Sequence, residues 1–232
     1  AALKQPHHIA LVIGERSLSA GELLKQVDAL SENLYAMGIR AGEHIGVLLP
    51  NCIEFVLVLL AGARLGLVLV PQSISLPAAA FSSTFRAADV KHLLVWGGIL
   101  PVLGESLLEQ EGIRVVVGEG RGWISFSSLL SSIDSPQKIP DLPVELPFLM
   151  VLTSGSTGKP KPILLSQKTK ILRAEAAANL YGVQSSDIVL AATPLYHSLA
   201  QRLVLMPLML GGSSIVMEHF TPSTWIETVQ RY

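Results

Sequence analysis

Charge is scarce in this sequence. Its 232 residues hold 17 Lys and Arg against 18 Asp and Glu, so charged side chains make up 15% of the chain, where a typical soluble domain carries about 25%. The formal net charge is −1 and the pI is near 6.7. No Lys/Arg cluster or basic stripe breaks that balance, which argues against a polyanion-binding surface, so no nucleic-acid partner is expected. Cysteine is almost absent. The single Cys52 excludes an internal disulfide and any metal site built from cysteine alone. The longest apolar stretch, Phe55 to Val70, is interrupted by Gly62, Arg64 and Gly66 and falls short of the ~20 apolar residues a spanning helix needs. No basic-then-apolar leader pattern follows Ala1. Together these absences point to a cytoplasmic protein with no transmembrane segment.

What the chain does have is apolar bulk. Hydrophobic residues make up 50% and the mean hydropathy is +0.49. A surface this poor in charge is expected to be covered by something else, either a second copy in a homodimer or a further part of the same protein. The stretch from Trp225 to Tyr232 reads as a helix with no Gly or Pro to close it. The chain is therefore expected to be a fragment.

The patterning is that of an α/β protein. Ser19 and Glu22 have capping-box spacing, Leu23, Val27, Leu30 and Leu34 recur at helical spacing, and Gly38 offers a left-handed stop. A helix over 19–37 is predicted. Apolar runs at 45–49 and 67–70, each closed by proline, flank a helical segment over 52–64. Two strands joined by a helix-length crossover make a βαβ unit with parallel strands, and runs at 92–96 and 114–117 can extend its sheet. Residues 131–147 carry Ser131, Ser132, Asp134, Ser135 and four prolines without any period. They are expected to connect a first subdomain, 1–130, and a second, 148–232. In the second, strands at 148–152 and 163–165 flank a polar turn. A helix over 168–181 follows, capped by Ser166 and stopped by Gly182. Then come a strand at 187–192, a helix near 199–210 and a strand at 214–217, a second βαβ layout. The expectation is two βαβ-containing subdomains with largely parallel sheets flanked by helices.

The most informative segment is Thr153-Ser154-Gly155-Ser156-Thr157-Gly158-Lys159-Pro160-Lys161, which sets four hydroxyls, two glycines and two lysines between two apolar strands. Glycine lets backbone N–H groups approach an anion, because no Cβ stands in the way. Hydroxyl groups add adaptable donors, and a Ser or Thr oxygen can reach a magnesium ion. Lysine neutralises phosphate charge. These are the ingredients of a pyrophosphate or triphosphate cradle. It is not the common nucleotide P-loop, which needs four residues between its glycines and then Lys-Ser/Thr opening a helix. Here only Ser156 and Thr157 separate Gly155 from Gly158, and a strand follows.

At these residues the chain resembles the adenylate-forming superfamily of acyl- and aryl-CoA synthetases, luciferases and peptide-synthetase adenylation domains. Thr153, Ser154, Gly155, Ser156, Thr157, Gly158, Pro160 and Lys161 each fall on a position of that family's phosphate-binding loop. Pro162, where the family usually has Gly, and Gln167, where His is common, depart from it. The resemblance implies that Thr153 to Lys161, Lys159 included, bind ATP and its pyrophosphate, with Mg2+ near Thr157. A second motif, Thr193-Pro194-Leu195-Tyr196-His197, follows a predicted strand, at the end where α/β sheets collect ligands. On chemistry alone His197 could equally cap the next helix or bond to backbone. The aromatic-His pair resembles that of CoA ligases, and this implies that Tyr196 and His197 border the tunnel of a carboxylic-acid substrate. The implied reaction is acyl-adenylate formation followed by capture on a thiol, of CoA or of a carrier protein. The resemblance also implies that the adenine-binding segment, the acidic magnesium and ribose residues and the catalytic Lys lie in a C-terminal part outside this chain, so that the chain alone is inactive. The alternative is a non-catalytic nucleotide-binding or scaffold module, in which Pro162 and Gln167 mark decay. His7 and His8 are adjacent, but no third ligand stands at metal spacing, and His44 and His92, at strand edges, are read as structural.

Overall fold

The computed structural model describes residues 5–104, 107, 111–153 and 161–232. In chain order the strands and helices are β1 (Ile9–Ile13), β2 (Arg16–Ser19), α1 (Ala20–Ala36), β3 (His44–Leu48), α2 (Ile53–Leu65), β4 (Val68–Pro71), α3 (Ala78–Ala87), β5 (His92–Trp96), β6 (Arg114–Val117), β7 (Ile124–Ser125), β8 (Pro147–Thr153), β9 (Lys161–Ser166), α4 (Gln167–Tyr181), β10 (Ile188–Ala191), α5 (Ser198–Leu210), β11 (Ser213–Val216) and α6 (Pro222–Arg231). The segment 131–146 is irregular, as its prolines require.

Local signals set several boundaries. The Ser19 N–H donates to the Glu22 carboxylate at 2.8 Å, and the Glu22 N–H returns a bond to Ser19 Oγ at 3.3 Å. This is the reciprocal cap that starts α1. The helix then buries Leu23, Val27, Leu30 and Leu34 as one stripe. Gly38 stops it with φ +95°, and the Ile39 N–H reaches back to the Leu34 carbonyl at 3.1 Å. Gly182 ends α4 the same way, with Val183 N–H bonded to Ala178 O at 2.9 Å. These are left-handed caps that a residue with a Cβ occupies at a cost.

The chain divides into two compact units: residues 1–27, 50–57 and 169–232 form one, and residues 28–49 and 58–168 the other. The units interleave in sequence rather than following one another as 1–130 and 148–232. The reason is strand pairing. β8 adds to β4 through the Leu69–Leu149 pair, so the hairpin expected to open a second subdomain extends the sheet of β3 to β7. β1 pairs in parallel with β11, which ties the N-terminal residues to the C-terminal ones.

In the unit of 28–49 and 58–168 the sheet has seven strands in the order β7-β6-β5-β3-β4-β8-β9. Every neighbouring pair except β8–β9 is parallel. One side is filled by a core that includes Leu48, Val68, Val70, Phe81, Phe85, Leu93, Val95, Val116 and Met150. The two phenylalanines come from α3, a helix for which the sequence pattern gave no expectation. His44 Nδ1 lies 2.5 Å from the Ala88 carbonyl, and His92 Nδ1 accepts the Ile113 N–H at 3.1 Å, so both act as structural residues.

In the other unit the sheet is β10-β11-β1-β2. β10, β11 and β1 are mutually parallel in turn, and β1–β2 is an antiparallel hairpin. The β10-α5-β11 crossover is the second βαβ layout expected from the sequence. Ala174, Ala177 and Ala178 of α4 pack with Met206 of α5.

Candidate functional site

The hairpin β8–β9 carries the glycine- and hydroxyl-rich loop. Met150 stands opposite Leu164, Val151 opposite Ile163, Leu152 opposite Pro162 and Thr153 opposite Lys161. The two ends of the loop are therefore neighbours across an antiparallel pair. Residues 154–160 lie outside the described residues, and with them the expectations for Ser154, Gly155, Ser156, Thr157, Gly158 and Lys159. For Thr153 and Lys161 the backbone pairing is the whole of what is described.

Both departures from the family pattern have a local account. Pro162 sits on β9, the last strand in the sheet order, where a missing N–H is tolerated best. Gln167 donates from Nε2 to the Ala63 carbonyl of α2 at 2.6 Å, and its own N–H donates to Leu146 O at 3.3 Å. Its amide thus fastens the start of α4 to the helix beside it. Neither residue needs decay as its explanation.

The second motif is held by side chains that the sequence pattern did not single out. Thr193 to His197 leave the end of β10 and enter α5. Leu195 is fully buried, and side chains hold its backbone on both sides. Its N–H donates to Asn51 Oδ1 at 2.7 Å, and its carbonyl accepts from Gln201 Nε2 at 2.9 Å. Asn51 uses its amide nitrogen on the carbonyls of Met217, at 2.7 Å, and Thr193, at 3.3 Å. Gln201, fully buried, accepts at Oε1 from Lys170 Nζ at 2.8 Å. An ammonium has only donors, so Lys170 dictates which end of the Gln201 amide faces it. The nitrogen is then left for Leu195.

Lys170 is itself buried, at 6% exposure. Its other contact within ordinary hydrogen-bond range is Ser198 Oγ at 3.2 Å. Burial first, then the charges of Arg173 and Arg202, push its pKa down to about 8. No carboxylate among the described residues pairs with it.

Leu195 thereby fixes the residues that follow. Tyr196 is half-buried and His197 exposed, with ring centroids 4.3 Å apart and planes tilted by 47°. His197 occupies the N-cap position of α5, but its side chain makes no capping hydrogen bond. The capping role open to it on sequence grounds is not the one it plays. Among the described residues no group of three or more His, Cys, Asp or Glu could hold a metal.

The sequence model for the family described as AMP-binding enzyme matches residues 1–232. The chain belongs to the AMP-binding enzyme family. It is 28% identical over 233 residues to a feruloyl-CoA synthase from an Amycolatopsis species, covering 99% of this chain and 45% of that protein. It is 31% identical over 232 residues to the fatty acid–acyl-carrier-protein ligase MmaC of Mycobacterium marinum, covering 96% and 43%. In fold it is similar to the o-succinylbenzoate CoA synthetase of Bacillus subtilis solved with its acyl-adenylate intermediate. That likeness has a TM-score of 0.84 at 21% identity, and covers 99% of this chain and 57% of that one. The chain spans less than half the length of the curated relatives it matches. Among the described residues no helix is long and apolar enough to cross a membrane.

Proposed function

We propose that the protein carrying this chain activates a carboxylic acid with ATP and passes the acyl group to a thiol. The carboxylate attacks the α-phosphorus, pyrophosphate leaves, and the acyl-adenylate is then opened by the thiol with release of AMP. The observation that carries this reading is the pairing of Thr153 with Lys161 at the mouth of a loop of hydroxyls, glycines and lysines, in a chain that matches the AMP-binding model from end to end. Thr153, Ser154, Gly155, Ser156, Thr157, Gly158, Lys159 and Lys161 hold the leaving pyrophosphate. Backbone donors, hydroxyls and lysine charge stabilise the negative charge that builds there. Mg2+ supplies charge neutralisation on the phosphate oxygens, with the Thr157 hydroxyl as this chain's contribution. Tyr196 and His197 border the acid, positioned by Asn51, Gln201 and Lys170 through Leu195.

Coenzyme A is the thiol we assign. A CoA-forming relative supports the choice, and a relative that charges a carrier protein makes the alternative concrete. Drawing on ATP and coenzyme A suits a cytoplasmic enzyme. The catalytic Lys and the adenine and ribose contacts belong in this reading to a C-terminal part, so the 232 residues alone form no acyl-adenylate. Acid-dependent exchange of labelled pyrophosphate into ATP tests both statements. The whole protein is expected to exchange and the isolated chain to stay at background. Exchange by the isolated chain would overturn the assignment of catalysis to the C-terminal part, and none by the whole protein with any acid would overturn the function.

A further inference from the structure

Directly after Tyr196 and His197, the start of α5 and one face of α4 enclose a cleft of about 270 Å³ lined by Lys170, Arg173, Ser198, Leu199 and Arg202. Three of its five lining residues are cations, in a chain where Lys and Arg together number 17 of 232. Among the described residues none of the three forms an ion pair with a carboxylate. Arg202 Nε is buried without a hydrogen-bond partner. A guanidinium nitrogen removed from water and left unpaired costs free energy, and three like charges around one cleft repel each other. Burial first, and then the charges of Arg173 and Arg202, lower the pKa of Lys170.

Two further features favour an anion here. α5 begins at Ser198, which lines the cleft, and the His197 side chain at the N-cap makes no capping hydrogen bond to the first-turn N–H groups. A 13-residue helix presents its positive dipole end at that point. The cations come from two helices and converge, with Lys170 and Arg173 on α4 and Arg202 on α5. Lys170 spends its hydrogen bonds on Gln201 and Ser198 and contributes charge. Arg173 and Arg202 retain donors that a planar oxyanion can take in pairs.

We propose that this cleft binds a second anionic group of the acid substrate, a carboxylate or sulfonate carried in addition to the carboxylate that reacts. The proposal rests on the functional reading above and names its substrate class: a short acid bearing two negative groups. The reacting carboxylate is a poor candidate for the cleft. Its lone pair must attack phosphorus, and ion pairing to several cations would hold that lone pair back. The other oxyanion sources in the reaction are the phosphates of ATP and of the thiol substrate.

The test uses the whole protein, with adipate and its monomethyl ester as probes, which differ in one negative charge at nearly equal length. Acid-dependent pyrophosphate release should favour adipate by about tenfold or more in kcat/KM, the scale of one charge-assisted bidentate contact. Arg173→Met and Arg202→Met should each bring that ratio towards one. Equal kcat/KM for the two acids, or a ratio unmoved by both substitutions, overturns the inference and leaves the ligase reading intact. A raised KM for coenzyme A or for ATP in the same variants, with the acid ratio unchanged, assigns the cleft to the phosphates of that substrate and also overturns it. If no acid supports turnover, calorimetric titration with adipate still decides. Binding that weakens about tenfold in Arg173→Met upholds the cleft without the chemistry, and no binding removes it.

Discussion

Asn51 accepts the backbone N–H of Leu195 at 2.7 Å, joining positions 144 residues apart in sequence. One side-chain amide thereby holds the residue before Tyr196 and, through the Met217 carbonyl, the exit of β11. Replacing Asn51 by Ala leaves the buried Leu195 N–H and two carbonyls without these partners. The expected loss is roughly 2–3 kcal/mol, since a partner left unsatisfied costs more than a bond is worth on net. Urea unfolding measures it, and a loss under about 0.5 kcal/mol would show that Asn51 is no clamp. Asn51→Asp keeps the acceptor for Leu195 but sets a carboxylate oxygen against the Met217 and Thr193 carbonyls, so it should not recover the parent's stability.

Lys170 makes the stability of its surroundings depend on pH in a calculable direction. Its pKa is about 8 in the fold against an ordinary value of 10.5. Below pH 8 both folded and unfolded chains carry the proton, and the cost of burying the charge is fully present. Between about 8 and 10.5 the unfolded chain binds more protons, so stability rises with pH. The parent should therefore gain on a Lys170→Met variant by roughly 2–3 kcal/mol from pH 7.5 to 10.5, at about 1.4 kcal/mol for each tenfold change in proton affinity. Comparing the two proteins cancels the opposing effect of Cys52. A pH-independent difference would mean that Lys170 is not buried as a charge.

Cys52 should be a slow thiol. Burial, then the negative charge of Glu54, push its pKa up to about 12 from an ordinary 9.0. At pH 8 the thiolate fraction falls by about three orders of magnitude, and alkylation depends on the thiolate. Iodoacetamide labelling should be about a thousandfold slower in the native protein than in urea. Labelling within tenfold of the denatured rate would contradict the burial. Because stability tied to this group is lost as pH rises from 9 towards 12, the protein should also weaken in strong alkali.

How much of this was legible in the sequence depended on distance along the chain. The capped helix from Ser19, the β3-α2-β4 unit and the strands around the phosphate loop each carry their signal within about twenty residues. They came out within a residue or two of the observed bounds. β1 and β2 did not, although Ile9 to Ile13 is an apolar run followed by Gly14. β1 owes its place to a parallel partner, Ser214 opposite Leu11, some two hundred positions away. The same limit hid the division into interleaved units, which rests on β8 joining β4. Asn51 stood in an unremarkable loop after Pro50, and its value appears only when 193–195 and 217 arrive beside it. Gln167 was noticed as a departure from a pattern, but its bond to Ala63 O crosses 104 residues. Of the candidate site, the place of Tyr196 and His197 after a strand could be read directly, while the phosphate-binding chemistry expected of Thr153 to Lys161 rests on the sequence and is proposed above. The side chains that fix Leu195 could not be read.

The most direct test of the central claim is acid-dependent pyrophosphate release by the whole protein with Ser154, Thr157 and Lys161 all changed to alanine. Loss of two hydroxyl donors and one charge from the leaving group's cradle should slow ATP consumption by at least about a hundredfold, the scale of removing one preorganised donor from a developing anion. Far-ultraviolet dichroism should stay unchanged, because β8 and β9 keep their pairing. ATP consumed by the triple variant at the parent's rate would contradict the account at its root.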